Sequence, residues 1–435
     1  MIKNIKSQLI GKLWGMESIE INFNKVKNQK VISRIEKSFF RPGELKDTGT
    51  SSFSILSRRT LAQFLGQKYW IRTEWIYIIR CLLSIAALPF SILVPLIKNL
   101  RFPRKAKKKT KVVSFLEVEF CKPFLDEIFP DGYTVVSPCN TELNFKDVRF
   151  ILKILFACPR YLIYPELLCR VIIGIAQYSY VINQYHPEVI SNFAEGSCWA
   201  SVLTGYCREL GIKHINIMHG IRYFSSSKAF SEFDTFYVWG KYHLEQFKMM
   251  RVSAKNFIIS GNPIHRRLRK TALNTIPKQP PRLLIMCEFI LLADRRFFFL
   301  ICDIINQIGS EWAIICRLHY QDIEYSIRFA KKLEYKLQRK VIIEHPCKVP
   351  FKDSIRRATI VVGSYTNALT DAWVAGKKCI YLHLPEEDRI PLQEYHYSKN
   401  IKIFCRGDKI QNFLNVLIVE DESETILRNR FSRNI

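Results

Sequence analysis

Several chemistries have no residues to stand on in this sequence. There is no Walker-type Gly-rich loop and no G-x-G-x-x-G run, which removes ATPase and dehydrogenase readings. No D-x-D carboxylate pair occurs, which argues against a metal-dependent single-domain transferase, and no essential metal or cofactor is expected. The 13 cysteines never form a C-x-x-C pair or a Cys/His cluster at zinc-finger spacing, so reduced, mostly buried thiols are the simplest reading. Residues 1–30 are polar and charged without an apolar run, so no cleavable signal peptide is legible there and a reducing cytoplasm fits. No RNP motif, zinc spacing or heptad-bearing basic region accompanies the positive charge, and nucleic acid is not an expected partner.

What is present is a 435-residue chain, 48% hydrophobic, with material for two cores. The net charge is +27, and about 16 of those charges fall in the first 110 residues, so partners that need positive charge belong to that end. Residues 1–74 form a basic amino-terminal region with no assignable role. The stretch 75–100, WIYIIRCLLSIAALPFSILVPLIKNL, has an apolar core from Cys81 to Ile97 interrupted by Pro89 and Pro95. That is the lower edge of the length that spans a bilayer. The basic run KNLRFPRKAKKKTK follows directly, a composition that anionic headgroups attract. Residues 75–110 therefore read as a helical segment associated with an anionic membrane surface, or else as a buried helix followed by a solvated linker.

From Lys111 onward short apolar strands alternate with amphipathic helices, the α/β pattern. Strands are expected in TKVVSFLEV, PEVISNFAEGS, IKHINIMHG, FSEFDTFYVWG and KNFIISGNP, and again in RLLIMCEFI, EWAIICRLHY, KVIIEHP, TIVVGSYTNA and KKCIYLHLP. LNTIPKQPPR, residues 273–282, carries three prolines and almost no periodicity, and marks a hinge. The domains are thus 111–272 and 283–420, with a tail at 421–435. Two such units would set a cleft at the carboxyl ends of their strands, where open α/β sheets bind ligands, and His219, His319 and Ser364 fall at such ends.

The order AEGS, IMHG, EFDTFYVWG, IISGNP, RLHY and VVGSYTNALTDAWVAGKKCIYL resembles the two-domain GT-B glycosyltransferases of bacterial surface polysaccharide synthesis. Within that group it is most like the polysialyltransferase and CDP-glycerol glycerophosphotransferase relatives. The likeness covers roughly residues 110–400 and lies in the order of short motifs. It implies two Rossmann-like domains facing a central cleft and transfer from a CMP-, CDP- or UDP-activated donor to a saccharide or glycolipid acceptor. The apolar segment and basic run, which lie outside the likeness, would place such a protein in the cytoplasm, peripheral on or anchored to the inner face of the cell membrane. The likeness also implies a strand-end His219-Gly220 beside the acceptor, Arg317 and His319 at the donor phosphates, Ser364 and Thr366 holding those phosphates, and Asp371 at the ribose. Two departures stand out. Tyr320 follows His319 where the group has proline, while an intact His345-Pro346 occurs one strand later. Ala194 occupies the first position of an acidic pair before Glu195.

The residues support much of this on their own chemistry. Gly363, Ser364 and Thr366 lie where a strand turns into a helix, so free N–H groups, hydroxyls and the positive end of the helix dipole converge on one point suited to an anion. Asp371 returns to nearly the same helix face two turns on, unless Ser364 is a simple N-cap and Asp371 a solvated side chain. Arg317 and His319 alternate along one strand and share a face, which suits a pyrophosphate clamp. Inverting transfer needs a base for the acceptor hydroxyl, and His219 and Glu195 are the candidates, one able to orient the other. Arg222 could receive an acidic acceptor. A sugar-nucleotide epimerase of the same architecture, and a non-catalytic basic membrane or nucleic-acid binding protein, are the competing readings.

Overall fold

The computed structural model describes residues 25–45, 51–68, 74–101, 109–115, 122–136, 140–193, 196–218, 225–265, 268, 280–287, 295–319, 323–364, 367–383, 398–415 and 422–431. Two compact units result. The first takes the described residues up to 238 together with 244–258, the second those of 239–243 and from 259 onward. The hinge expected at 273–282 lies outside the described residues up to 279; the division itself falls earlier, at Ile258 and Ile259, where the last strand of the first sheet ends.

The first unit opens with three helices, α1 (Lys25–Phe39), α2 (Phe53–Lys68) and α3 (Glu74–Arg101). Then follow β1 (Val112–Phe115), α4 (Lys122–Ile128), β2 (Thr134–Val136), α5 (Phe145–Ala157), α6 (Pro165–Tyr185), β3 (Val189–Asn192), α7 (Ala200–Glu209), β4 (Lys213–Ile217), β5 (Glu232–Val238), α8 (Lys241–Met249) and β6 (Ser253–Ile259). The six strands form a parallel sheet in the order β2-β1-β3-β4-β5-β6, with Val113 opposite Ile190 and Ile190 opposite His214. Ile190 of β3 and apolar side chains of α5, α6 and α7 close the core around Ile172, Ile175, Val202 and Leu203. Between β2 and β3 the chain forms two helices, α5 and α6. Asn144 and Asp147 cap α5 reciprocally, and Pro159 and Pro165, lacking an N–H to continue a ladder, open a 3-10 turn and then α6.

The described amino-terminal helices pack into this unit. Arg59 on α2 is fully buried; its Nε lies 3.1 Å from Glu232 of β5, and its Nη1 donates to the Arg251 carbonyl at 2.7 Å. Leu61 and Phe64 of the same helix belong to the domain core. Gly66 lets α2 settle on the 3-10 turn Ser226–Lys228, because a Cβ there would meet the Ser226 carbonyl oxygen at 2.3 Å. Two of the three serines after Arg222 are thereby accounted for as packing: Ser226 Oγ donates to the Gly66 carbonyl, and the Ser227 carbonyl accepts from Gln67. α3 packs along α6, with the Cys169 thiol donating to the Ser84 carbonyl and Leu88 and Ile92 turned to the core. No helix among the described residues is long and apolar enough to cross a membrane. The described cysteines are free and mostly buried, as their spacing implied.

The second unit runs β7 (Arg282–Met286), α9 (Arg295–Gln307), β8 (Ala313–Arg317), α10 (Ile323–Leu337), β9 (Val341–Glu344), α11 (Phe351–Arg357), β10 (Ile360–Gly363), α12 (Asn367–Val374), β11 (Lys378–Leu382), β12 (Ile401–Phe404), α13 (Gln411–Asn415) and α14 (Glu422–Phe431). Its parallel sheet has the order β12-β11-β10-β7-β8-β9 around a core of Leu283, Ile285, Phe297, Ile301, Ile314, Val362 and Ile380. The segment 421–435, expected as a tail, carries a helix that buttresses α12. Glu424 is buried and accepts from Ser398 Oγ at 2.7 Å and from Trp373 Nε1 at 3.3 Å.

Candidate functional site

Strand order decides where a ligand can enter each sheet. In the second unit the chain moves from β7 to β8 and β9 on one side, then returns to the other side of β7 with β10, β11 and β12. The reversal opens a crevice between the carboxyl ends of β7 and β10, the place where open α/β sheets bind ligands. Gly363 ends β10 and Ser364 follows it there. α12 begins three residues later and has no acidic residue in its first turn, so no carboxylate there offsets the positive end of its dipole. Thr366 lies outside the described residues.

The site differs from the expectation at two side chains. Ser364 is buried and its hydroxyl donates to the Leu382 carbonyl at 3.0 Å, which ties the end of β10 to β11. Its proton is spent on the sheet, so this hydroxyl does not donate to an anion, and a donor there has to come from the main chain. Arg317 is not a phosphate clamp in this arrangement. Its Nη1 donates to Ser354 Oγ at 2.7 Å and to the Val349 carbonyl at 3.0 Å, its guanidinium lies over the Phe351 ring, and Glu344 stands 3.9 Å away. Burial pushes the guanidinium below its usual range. The same Glu344 also holds Arg357 at 2.7 Å, so β8, β9 and α11 are joined by this buried network and Arg317 is part of the wall. His319, two residues past β8, is half-buried at the carboxyl edge, where its N–H donates to Ser326 Oγ. His345 ends β9, and its ring Nδ1 accepts the Cys347 N–H at 3.2 Å in a local turn.

Asp371 is neither solvated nor alone. Its Oδ1 lies 2.6 Å from Nε2 of His265, a fully buried residue of the same unit that the sequence pattern did not single out. Local chemistry delivers it. Gly261 takes φ +79°, a conformation L side chains rarely adopt, and Asn262 Oδ1 accepts the Ile264 N–H to start a short turn that carries His265 inward. Trp239 meets the imidazole edge-on, with centroids 5.3 Å apart. Gly261-Asn262-Pro263 and Trp239 are thus the scaffold of this pair.

In the first unit the sheet reverses at β1, with β2 on one side and β3 to β6 on the other, so the crevice lies between the ends of β1 and β3. Glu195 lies three residues past β3 and His219 two residues past β4; both, with Gly220 and Arg222, lie outside the described residues. The described flanks are fixed from below. Gln67 Nε2 of α2 donates to the Gly196 carbonyl at 2.6 Å and to the Ser227 carbonyl at 3.2 Å, linking the loop after β3 to the loop after β4. Behind them His214 of β4 sits in a buried polar cluster: Nδ1 is 2.7 Å from Thr204 Oγ1, and Nε2 is 2.9 Å from the Tyr178 hydroxyl and 2.8 Å from Asn192 Nδ2. Thr204 Oγ1 lies 2.6 Å from the Glu232 carbonyl and donates there, so Nδ1 carries the imidazole proton and Nε2 accepts. Burial holds this imidazole down to about 4, which keeps it neutral. Asp234 positions the same strand, accepting from the His214 N–H at 2.9 Å and from Arg208 Nε at 2.7 Å.

No protein-family model matches the chain, and no curated protein does. Among solved structures it resembles a candidate UDP-N-acetylglucosamine 2-epimerase from Listeria monocytogenes, at 17% identity over 75% of this chain and 93% of that one, with a TM-score of 0.46. It also resembles the UDP-GlcNAc 2-epimerase from Neisseria meningitidis bound to UDP-GlcNAc, at 11% identity over 75% and 94%, TM-score 0.44. A lipopolysaccharide outer core galactosyltransferase in its apo form gives 14% identity over 75% and 94%, TM-score 0.41. At identities and scores this low, neither activity nor substrate carries over to this chain. Among the described residues no group of His, Cys, Asp and Glu is arranged to hold a metal ion.

Proposed function

We propose that the protein is a nucleotide-sugar-dependent glycosyltransferase whose second unit binds the activated donor and whose first unit binds the acceptor. The observation that carries the reading is the Gly363-Ser364 turn, set at the strand-order reversal of the second sheet and leading toward α12, whose first turn holds no acidic residue. The donor phosphates fit that turn, with His319 as a polar group past the end of β8, on the far side of β7, and Asp371 takes the ribose.

In the transfer, an acceptor hydroxyl oxygen bonds to the anomeric carbon of the donor as the carbon–oxygen bond to phosphate breaks. The hydroxyl proton goes to a base in the first unit, His219 or Glu195, and the nucleotide leaves with the bonding pair on its phosphate oxygen. N–H groups of α12 stabilise that charge without a metal. Gly220 leaves room for the acceptor, and Arg222 receives an acidic one.

The acceptor is a growing surface polysaccharide or glycolipid, and we place the enzyme on an anionic membrane surface. Two features support this: one flank of α3 exposes Leu82, Leu83, Ile85, Phe90, Leu93, Val94 and Ile97, Phe90 to 67%, and the chain continues into the basic run after Lys98.

A nucleotide panel tests the reading. UDP, CDP or CMP at a hundred times its dissociation constant should stabilise the full chain by about 2.7 kcal/mol in thermal melts. Turnover should require both donor and acceptor. Consumption of UDP-GlcNAc alone would make the protein an epimerase, and no response to any nucleotide would remove the enzyme reading.

A further inference from the structure

We infer that His265 is a positioning residue of the nucleotide site, holding the Asp371 carboxylate so that the pair selects ribonucleotides over their deoxy counterparts. The inference deepens the reading above and rests on it for the nature of the ligand.

Three observations point the same way. First, the contact is short and directed. His265 Nε2 lies 2.6 Å from Asp371 Oδ1, and since a carboxylate only accepts, Nε2 carries the proton between them. The second carboxylate oxygen has no partner among the described residues, and the Asp371 side chain keeps 17% of its surface, so one oxygen is pinned and the other is available. Second, the imidazole cannot drift. It is fully buried, edge-on to Trp239, and delivered by the Gly261 turn and the Asn262 cap. Third, the arrangement is a poor solution if packing were the only demand. His265 Nδ1 is buried with no hydrogen-bond partner among the described residues, a loss that an apolar side chain of similar size would avoid. Nitrogen is kept here for the proton it presents to Asp371.

The location gives that proton its use. Asp371 is on α12, the helix whose first turn follows the Gly363-Ser364 turn where the proposed donor phosphates sit. Phosphates at the amino end of a helix set the sugar of a nucleotide alongside the turns that follow, within reach of a carboxylate one turn on. A carboxylate free to rotate would accept from ribose hydroxyl, water or a nearby cation alike. One fixed by His265 presents a single oxygen in one direction, which rewards a hydroxyl at one place and leaves an unpaired acceptor when that hydroxyl is missing.

The experiment compares, by calorimetry on the full chain, the nucleotide that answers in the panel with its 2′-deoxy and 3′-deoxy forms. The wild type should prefer the ribonucleotide by about tenfold or more, the scale of one hydrogen bond to a charged acceptor. His265→Phe keeps the bulk and the contact with Trp239 but removes the donor, and should bring the ratio close to one. His265→Gln, whose amide nitrogen reaches the place of Nε2, should restore most of it. A role in stability alone would lower the melting temperature and leave the ratio untouched, which overturns the inference. If His265→Phe does not fold, Asp371→Asn decides, because an unchanged ribose preference in that variant also overturns it. A wild type that binds the nucleotide without any ribose preference refutes the inference while the donor site stands. A wild type that binds no nucleotide refutes both.

Discussion

Arg59 offers the sharpest test of how this protein is built. Its side chain is 1% exposed and that of Glu232 is fully buried, 3.1 Å apart, and the pair joins the amino-terminal helix α2 to β5 of the first sheet. Replacing Arg59 by Met keeps most of the volume and removes the charge. Breaking a buried pair costs about 3–5 kcal/mol because the surviving ion stays in a poor dielectric. Arg208 still faces Glu232, with Nη1 at 3.0 Å, so the ionic part belongs at the low end of that range. The carbonyls of Phe230 and Arg251 lose a charged donor as well, at about 1 kcal/mol each. The sum is about 4–5 kcal/mol. For a unit of this size each kcal/mol moves the melting temperature by roughly 2–4 °C, so calorimetry should show a fall of roughly 8–20 °C in the first unit's transition. The double variant Arg59→Met with Glu232→Gln should recover a large part of the loss, since no isolated ion is then buried. A fall of less than about 1 kcal/mol, or no recovery in the double variant, would refute the claim that α2 is held by this pair. The same reasoning says that a chain starting at residue 111 should not behave as a stable core.

Two further outcomes follow from the buried groups. Burial holds His214 near 4 against an ordinary 6.5, so below pH 6.5 the unfolded chain takes up a proton that the folded chain refuses. Its contribution is complete above about pH 6.5 and is lost as pH falls toward 4; between pH 7 and pH 5 the urea midpoint should drop by the equivalent of roughly 2 kcal/mol, and His214→Asn should flatten that slope, whereas parallel slopes would exclude His214 as its source. Arg317→Lys cannot reproduce the paired contacts to Ser354 and Val349, so it should cost about 1–3 kcal/mol of stability while the folded variant keeps its nucleotide affinity within a few-fold. A large loss of affinity at unchanged stability would return Arg317 to the phosphates.

Particular residues show where sequence reading reaches and where it stops. The strands were legible because parallel strands buried on both faces are continuous apolar runs: AIICR and KCIYL could hardly be anything else. The turn at Gly363 and Ser364 was legible because a small residue after such a run sits at a carboxyl edge wherever the sheet closes. The short edge strands β2 and β12 were missed, since three or four residues give no periodicity to count. The alternation of Arg317 and His319 fixed their parity on a strand and said nothing of what α11 would bring against them.

The sequence by itself determined the local order of elements, their period and their punctuation, because those depend on neighbours a few positions apart. It determined neither partner nor direction for a polar side chain. Asp371 meets a histidine 106 positions earlier, Arg59 a glutamate 173 positions later, and Trp373 a glutamate from the carboxyl-terminal helix. A buried charge must find an opposite charge or a hydrogen bond, but nothing in its immediate sequence says which, and only the folded chain, by bringing distant segments within about 3 Å, makes the choice.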